Sequence, residues 1–200
     1  MSETRKVTVM FDGDAITTTV TSSGEAVEDW LDEVLYVHRR RLHKLVVGLD
    51  VEWRPSFSSA YSPTALLQLC VGRRCLVFQL LHADYFPDAL DDFLGDTDFR
   101  FVGVGVDGDA DRLSDDYELE VENTVDLRKL AADEMDRPDL RQAGLKAIAS
   151  AVMGVNMEKP HWVRTGRWDA YSLSDQQIKY ACIDAFVSFE VGRRLLAGDY

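Results

Sequence analysis

The sequence lacks three features that would place it in a class at once: a long apolar run, a cysteine framework and an excess of positive charge. No segment approaches the roughly 18 uninterrupted apolar residues of a membrane-spanning helix. The first residues, MSETRKVTVM, carry charges where a signal peptide would be apolar. We therefore expect an intracellular protein, cytoplasmic or nuclear, without a membrane partner.

Cysteine and histidine are few and scattered. The three cysteines, Cys70, Cys75 and Cys182, match neither a disulfide framework nor the paired spacing of a zinc site, so we expect reduced core or hairpin residues. The four histidines also lack the short-range spacing of metal ligands. Any metal site would therefore have to be built from carboxylates.

Acidic residues dominate the charge. The 35 Asp and Glu residues outnumber the 22 Lys and Arg residues, which gives a formal net charge of −13. This argues against a protein that coats nucleic acid through a basic surface, because such binding depends on many cation–phosphate contacts. A length of 200 residues with 46% hydrophobic content predicts one globular domain.

The hydrophobic pattern predicts an α/β fold. Two β-branched runs flank Asp12-Gly13, which is typical of a β-hairpin, and an amphipathic helix follows over residues 25–37. Three strands that form an antiparallel meander are predicted next, at residues 45–53, 65–71 and 75–80. The remaining predicted elements are a helix at 86–95, a strand at 99–106, a helix at 108–116, a strand at 123–127, a helix at 140–152 and a helix at 174–197. An antiparallel start followed by βα units implies a mixed sheet.

Two acidic residues lie inside the strand LVVGLDVEW. Asp50 and Glu52 are two residues apart, so their side chains share one face of the strand. Like charges on an apolar strand are tolerated where water reaches them or where a divalent cation neutralises them. The alternative is that the strand ends at Leu49.

A third acid opens a helix after a buried strand, in FVGVGVDGDADRL. Asp109 is placed so that it can face the sheet while Leu113, four residues later, packs below it. The alternative is ordinary capping by Asp107, Asp109 and Asp111, because acids are favoured near a helix N-terminus.

The last predicted helix carries a tyrosine and an acid among apolar neighbours. Tyr180 and Asp184 are four residues apart in QQIKYACIDAF and lie on one helix face. An unpartnered buried carboxylate is costly, so a buried Tyr–Asp hydrogen bond is the alternative to a functional role.

Together these patterns resemble the three motifs of the DEDD superfamily of 3′–5′ exonucleases, in its tyrosine subgroup. The histidine subgroup would place His at the position of Lys179. The segments ALLQLCV, VDLRKLA, GLKAIA and YACIDA are similar to the exonuclease domain of Werner-type proteins. The resemblance covers residues 45–197. Residues 1–44 resemble the N-terminal hairpin and helix of short plant members, which include Werner-like exonucleases and RISC-interacting clearing exoribonucleases.

The resemblance implies a ribonuclease H-like fold: a five-stranded mixed sheet flanked by helices, within one exonuclease domain over residues 1–200. It implies hydrolysis of phosphodiester bonds from the 3′ end of a single strand, with two divalent cations, Mg²⁺ or Mn²⁺. Asp50 would bridge both ions, Glu52 and Asp184 would hold the ion that activates water, and Asp109 would face the other ion. Tyr180 would orient the attacking water or help to deprotonate it. Orientation is favoured, because the ordinary tyrosine pKa of about 10 makes a poor base unless nearby metal ions lower it.

Substrate contacts are expected from cationic and aromatic residues, mostly in the loop before the last helix. The candidates are Trp53, Arg54, Lys159, His161, Trp162, Arg164 and Arg167. Trp168 in the same loop is expected to be a core anchor instead, and the arginines of the loop could equally be solvated or lie at a subunit interface. Arg39, Arg40 and Arg41 are expected to be a charge cluster at a helix C-terminus rather than a phosphate-binding site.

The plant relatives imply two substrate classes and several partners. We expect single-stranded RNA slightly ahead of DNA, with Argonaute or RISC as a partner, and DNA end processing as the alternative. A non-catalytic binding module on the same fold is the alternative from another class, and it would be expected to lack a motif acid. The resemblance also implies a homo-oligomer.

Overall fold

One mixed β-sheet forms the framework of the molecule, in a computed structural model that describes residues 3–200. Residues 1 and 2 of the predicted extension 1–44 lie outside the described residues. The strands are β1 (Thr4–Phe11), β2 (Asp14–Thr21), β3 (Val46–Trp53), β4 (Thr64–Val71), β5 (Arg74–Gln79), β6 (Arg100–Gly103) and β7 (Thr124–Asp126). Their order across the sheet is β1-β2-β5-β4-β3-β6-β7.

Seven α-helices cover the sheet within residues 3–200. They are α1 (Gly24–Val37), α2 (Asp88–Leu94), α3 (Val106–Tyr117), α4 (Leu127–Glu134), α5 (Leu145–Met153), α6 (His161–Arg164) and α7 (Asp175–Ala197). None of the helices in this part of the chain is long and apolar enough to cross a membrane.

The strand pairing confirms the predicted mixed sheet. Strands β3, β4 and β5 form the antiparallel meander, while β6 and β7 continue it in parallel with β3. These are the five expected core strands. The N-terminal hairpin is not a separate extension: β2 pairs in parallel with β5, so the sheet has seven strands. Its turn places Asp12 and Gly13 at φ of 47° and 83°, as a tight hairpin of this kind requires.

Several predicted boundaries were wrong after β6. The predicted strand 99–106 ends at Gly103, and α3 already begins at Val106, because Gly105 turns the chain at a φ of 67°. The sequence prediction also missed α4. This helix follows β7 without a loop, since the side chain of Asp126, the last strand residue, caps it by accepting from the Arg128 N–H. The predicted helix 140–152 begins only at Leu145, after a 3₁₀ turn.

The alternation along β3 decides which residues reach the functional face. Val47, Leu49 and Val51 pack into the core beneath α1, α2 and α3. The intervening residues face α7 on the other side of the sheet, so Asp50 and Glu52 share a face as predicted.

Gly48 allows the backbone of α7 to lie directly on β3. A Cβ atom at this position would lie 2.2 Å from the carbonyl oxygen of Ala185 and 2.7 Å from the amide nitrogen of Phe189. Both contacts are with backbone atoms of a long helix, which cannot turn aside as a flexible side chain would. The contact therefore holds the Asp184 segment of α7 close to the acidic end of β3.

We predict that Gly48→Ala lowers the free energy of unfolding by about 2–3 kcal/mol, because the new methyl group would push α7 away from the sheet. Urea unfolding followed by circular dichroism measures the effect. Gly108→Ala in α3 is the control, because its Cβ meets no atom within 4 Å, and alanine is favoured over glycine in a helix by about 1 kcal/mol. Equal midpoints for Gly48→Ala and wild type would contradict the close approach.

Candidate active site

A cavity of about 620 Å³ opens beside the C-terminal end of β3. Its size falls within the range of roughly 300–1,000 Å³ that is usual for ligand sites. Side chains from β3, α3 and α7 line it, and they include all five motif residues of the sequence analysis: Asp50, Glu52, Asp109, Tyr180 and Asp184. The fold thus brings together residues as distant in the sequence as Asp50 and Asp184, which are 184 − 50 = 134 positions apart.

Three of these acids form a tight cluster. One carboxylate oxygen each of Asp50, Glu52 and Asp184 lies within 4.8 Å of the others. The side chains of Glu52 and Asp184 are only 14% and 13% exposed. Asp109 lines the same cavity from the first turn of α3, outside this cluster.

Burial in a crowded acidic site makes ionisation of these groups unfavourable. Burial raises the pKa of Asp50 well above its ordinary value, and the charges of Glu52 and Asp184 raise it further. Burial likewise raises the pKa of Glu52 to about 7 and raises that of Asp184. For Asp109, burial followed by the Glu52 charge raises the pKa to about 7.

Lys159 lies on the acidic cluster. Its Nζ atom donates to Glu52 Oε1 at 2.9 Å and to Asp184 Oδ2 at 2.7 Å, and its side chain is only 17% exposed. Burial opposes its positive charge, but the carboxylates of Asp184 and Glu52 outweigh burial and raise the pKa of Lys159 above its ordinary value. Lys159 was predicted to be a substrate contact, and these two ion pairs with the acids were not predicted.

The donor set fits a divalent cation. Three clustered carboxylates and one ammonium leave a charge of −3 + 1 = −2 at the cluster when all are ionised. All-oxygen ligation suits Mg²⁺ or Mn²⁺, and a cation at these oxygens would lower the pKa values that burial raises. Because Lys159 engages two of the same carboxylates, its ammonium and a metal ion compete for them.

Tyr180 lines the cavity one helical turn before Asp184 and is half-buried. The predicted alternative, a structural Tyr–Asp hydrogen bond, was wrong within the described chain, because Asp184 is bonded to Lys159 instead. Lys179 is exposed, and its Nζ lies 5.6 Å from the centroid of the Tyr180 ring. The phenol is therefore available to the cavity rather than committed to the acid.

Gln68 is a buried neighbour of the cluster that the sequence analysis missed. It lies opposite Asp50 in the β3–β4 register, and its Nε2 is 3.5 Å from Asp50 Oδ2. Its Oε1 atom is buried and has no hydrogen-bond partner among the described residues. The signal was visible in the sequence as a lone amide in the apolar strand ALLQLCV.

Three cationic or aromatic candidates line the cavity: Trp53, Lys159 and Arg164. Lys146, in the first turn of α5, lines it as well and is exposed. Lys146 was not predicted as a site residue, although it lies in the segment GLKAIA. These cations surround an otherwise acidic site.

The other candidates lie outside the cavity lining. Arg54 and Arg167 both approach Asp169, at 3.3 Å and 3.6 Å. His161 and Trp162 are exposed on α6. Trp168, by contrast, is 1% exposed, which confirms the predicted core anchor.

Comparison with known proteins places the chain in a family. Residues 19–197 match the family model described as 3′–5′ exonuclease. The chain belongs to this 3′–5′ exonuclease family. The match confirms the resemblance that the three motifs carried.

Two curated relatives agree with this assignment. A 3′–5′ exonuclease of Arabidopsis thaliana is 34% identical over 148 residues, which cover 72% of this chain and 50% of that protein. The bifunctional 3′–5′ exonuclease/ATP-dependent helicase WRN of Mus musculus is 28% identical over 152 residues, which cover 75% of this chain and 11% of that protein. The chain thus spans half the length of the first relative and less of the second.

A solved structure also matches the chain along most of its length. The crystal structure of the EXD2 exonuclease domain soaked in Mn is 28% identical, with a TM-score of 0.50, and the match covers 91% of this chain and 90% of that chain. The fold is ribonuclease H-like, as predicted.

We predict that Lys159→Met lowers the free energy of unfolding in chelator by about 2–3 kcal/mol, because it leaves buried carboxylates without their bonded cation. The same variant should bind Mn²⁺ about tenfold more tightly, because the competing ammonium is gone. Chemical unfolding and isothermal titration calorimetry measure the two effects. Lys179→Met is the matched control, since this exposed lysine is not bonded to the acids. Weaker Mn²⁺ binding by Lys159→Met would contradict the competition.

We also predict that the stability of the protein in chelator depends on pH through Asp109. Its pKa rises from about 4 in an unfolded chain to about 7 in the folded one. The stabilisation from the protonated carboxyl is therefore complete below pH 4 and is lost as the pH rises through about 7.

Asp109→Asn should accordingly flatten the fall in melting temperature across this pH range in chelator. The control is Asp111→Asn, an exposed acid in the same helix. An unchanged slope in Asp109→Asn would show that Asp109 does not contribute to this pH dependence.

Proposed function

We propose that this chain is a metal-dependent 3′→5′ exonuclease that removes nucleotides from the 3′ end of single-stranded nucleic acid. The observation that carries the proposal is the cluster of three carboxylate oxygens within 4.8 Å, from Asp50, Glu52 and Asp184. It lies in one cavity with Asp109 and Tyr180. Membership of the 3′–5′ exonuclease family supports the direction of hydrolysis.

The proposed cofactors are two divalent cations, Mg²⁺ or Mn²⁺. When bound, such ions supply an activated water and stabilise the leaving 3′-oxygen. The Mn soak of the related EXD2 domain supports divalent metal use by the fold. We propose that Asp50, Glu52 and Asp184 would hold the ion that activates water, and that Asp109, together with Asp50, would hold the other ion.

Residues in and beside the cavity would position the attacking water, one of the acids and the phosphate group. We propose that the Tyr180 Oη atom orients the attacking water, because Tyr180 lines the cavity one helical turn before Asp184. Gln68 holds Asp50 in place from β4 through its Nε2 atom. Lys146 and Arg164 line the cavity and offer positive charge to a phosphate group.

The preference for RNA and the partnership with Argonaute or RISC stay predictions from the resemblance, as do the homo-oligomer and the cellular compartment. Discrimination between RNA and DNA depends on contacts with the 2′-hydroxyl. Degradation of matched RNA and DNA oligonucleotides under identical conditions therefore tests the substrate class directly.

We predict that wild-type protein with Mg²⁺ or Mn²⁺ releases mononucleotides from a 3′-labelled single strand and shortens a 5′-labelled strand stepwise. Asp50→Asn should lower kcat/KM by more than about 100-fold. Mutation of a residue that only hydrogen-bonds to a metal ligand commonly lowers metal affinity or activity about 10–100-fold, and Asp50 is itself a proposed ligand. Gel electrophoresis and the initial rates of both labelled substrates give the measurement.

The control variant is Asp92→Asn, which removes an exposed acid on α2 outside the cavity and should keep the wild-type rate. Asp50→Asn should also stay folded in chelator and resist urea at least as well as wild type, because it removes a buried charge from an acidic cluster. Absence of shortening by wild type with either metal would rule out the exonuclease and favour a non-catalytic binding module.

A further inference from the structure

A cationic side chain lies near two aromatic rings beside the acidic cavity. Trp53 directly follows Glu52, lines the cavity and is 39% exposed. The guanidinium carbon of Arg112 lies 3.9 Å from the centroid of the Trp53 ring and 5.1 Å from that of Tyr61. We call Trp53, Arg112 and Tyr61 the aromatic column.

Helix α3 holds this column in place. Arg112 donates to the carbonyl of Ser62 at 2.7 Å. Asp116, one turn later, accepts from Tyr61 Oη at 2.7 Å and from the Thr64 amide at 2.8 Å. The loop between β3 and β4 is thus tied to α3, and the rings are positioned before any ligand binds, which lowers the entropic cost of stacking on them.

The contacts with α3 could hold the loop even if the rings were buried, yet the rings are exposed to solvent. Tyr61 is 63% exposed, and Phe57 in the same loop is 99% exposed. Planar apolar surface beside a hydrolytic cavity suits a planar, uncharged ligand group. Every nucleobase has such a face, and each base stacked on an aromatic side chain contributes about 1–3 kcal/mol.

The charge of the chain also favours a base over a phosphate as the group bound here. With a net charge of −13, the protein repels a polyanion at long range. Stacking supplies affinity that does not depend on phosphate charge, and the Arg112 cation strengthens stacking on its neighbours.

We propose that the aromatic column binds a nucleobase of the substrate strand upstream of the scissile bond. Trp53 lines the cavity, whereas Tyr61 lies beyond its lining. The strand would therefore pass from the cavity over Trp53 toward Tyr61, and short substrates would not reach the outer ring. The inference rests on the proposed function, because it assumes that the cavity holds the 3′ end of a single strand.

The first test compares Tyr61→Ala and Tyr61→Phe on a dinucleotide and on a decanucleotide. Tyr61→Ala should raise KM for the decanucleotide about tenfold and by a smaller factor for the dinucleotide, with little change in kcat. Tyr61→Phe keeps the ring and loses the bond to Asp116, so it should keep KM near that of wild type. The proposal would be overturned by an equal rise in KM for both substrate lengths or by an equal rise in KM in both variants. Either result would indicate that Tyr61 only anchors the loop between β3 and β4.

The matched control is Tyr36→Ala. Tyr36 is 67% exposed and carries Arg39 at 4.2 Å from its ring centroid, so it is the same kind of pair on a surface outside the cavity. This variant should keep the wild-type KM for both substrates. A rise equal to that of Tyr61→Ala would overturn the assignment of the site to the column.

An abasic substrate separates this proposal from the proposed function. Fluorescence anisotropy in chelator measures binding of labelled strands without turnover. Removal of one upstream base should weaken binding by wild type about tenfold. The same removal should weaken binding by Tyr61→Ala only slightly, because this variant already lacks the ring on which the base would stack. The proposal would be overturned if the losses in affinity caused by the abasic site and by Tyr61→Ala were additive. Absence of turnover by wild type with metal would instead contradict the exonuclease, whatever the binding result.

Discussion

The contact between β3 and α7 at Gly48 is the constraint on which the site depends. Two ligand candidates, Asp50 and Glu52, come from the strand, and Asp184 comes from the helix. Glycine at this position lets the helix backbone approach the strand more closely than a side chain would permit, and this approach accompanies the meeting of carboxylates from the two elements. The apolar face of β3 packs under the opposite helical layer and anchors the strand against the repulsion of the acids. Core packing thus maintains an arrangement that electrostatics alone would oppose.

That arrangement has to be balanced by positive charge. Lys159 supplies part of it from the segment before α6, through ion pairs with Glu52 and Asp184. The balance is incomplete, because one ammonium faces three clustered carboxylates. The overall charge of −13 argues against coating nucleic acid, but it does not oppose an enzyme whose substrate contacts are made by metal ions, a few cavity cations and aromatic surfaces. An exonuclease that engages only the end of a strand can operate with such a surface.

Elements marked by local signals were predictable from the sequence, whereas pairing between distant segments was not. The hairpin, the meander and the long last helix were predictable, because turn residues and periodicity are local signals. Helix α4 was missed, because β7 runs into it without a loop and Asp126 serves both elements. The addition of the hairpin to the sheet was also missed. Parallel pairing of β2 with β5 joins distant segments, and no local pattern marks that partner.

The sequence by itself determined the five candidate residues, because buried carboxylates are costly when they lack a partner and the order of the five residues resembles the motifs of a family. Alternation along β3 was enough to place Asp50 and Glu52 on one face. Only the tertiary structure decided what surrounds them. It placed Lys159 on the acids, Gln68 beside Asp50, and Arg54 and Arg167 near Asp169 instead of the cavity. The partner of a long, flexible side chain depends on which groups lie near it in the folded chain. Periodicity in the sequence carries no information about these distances.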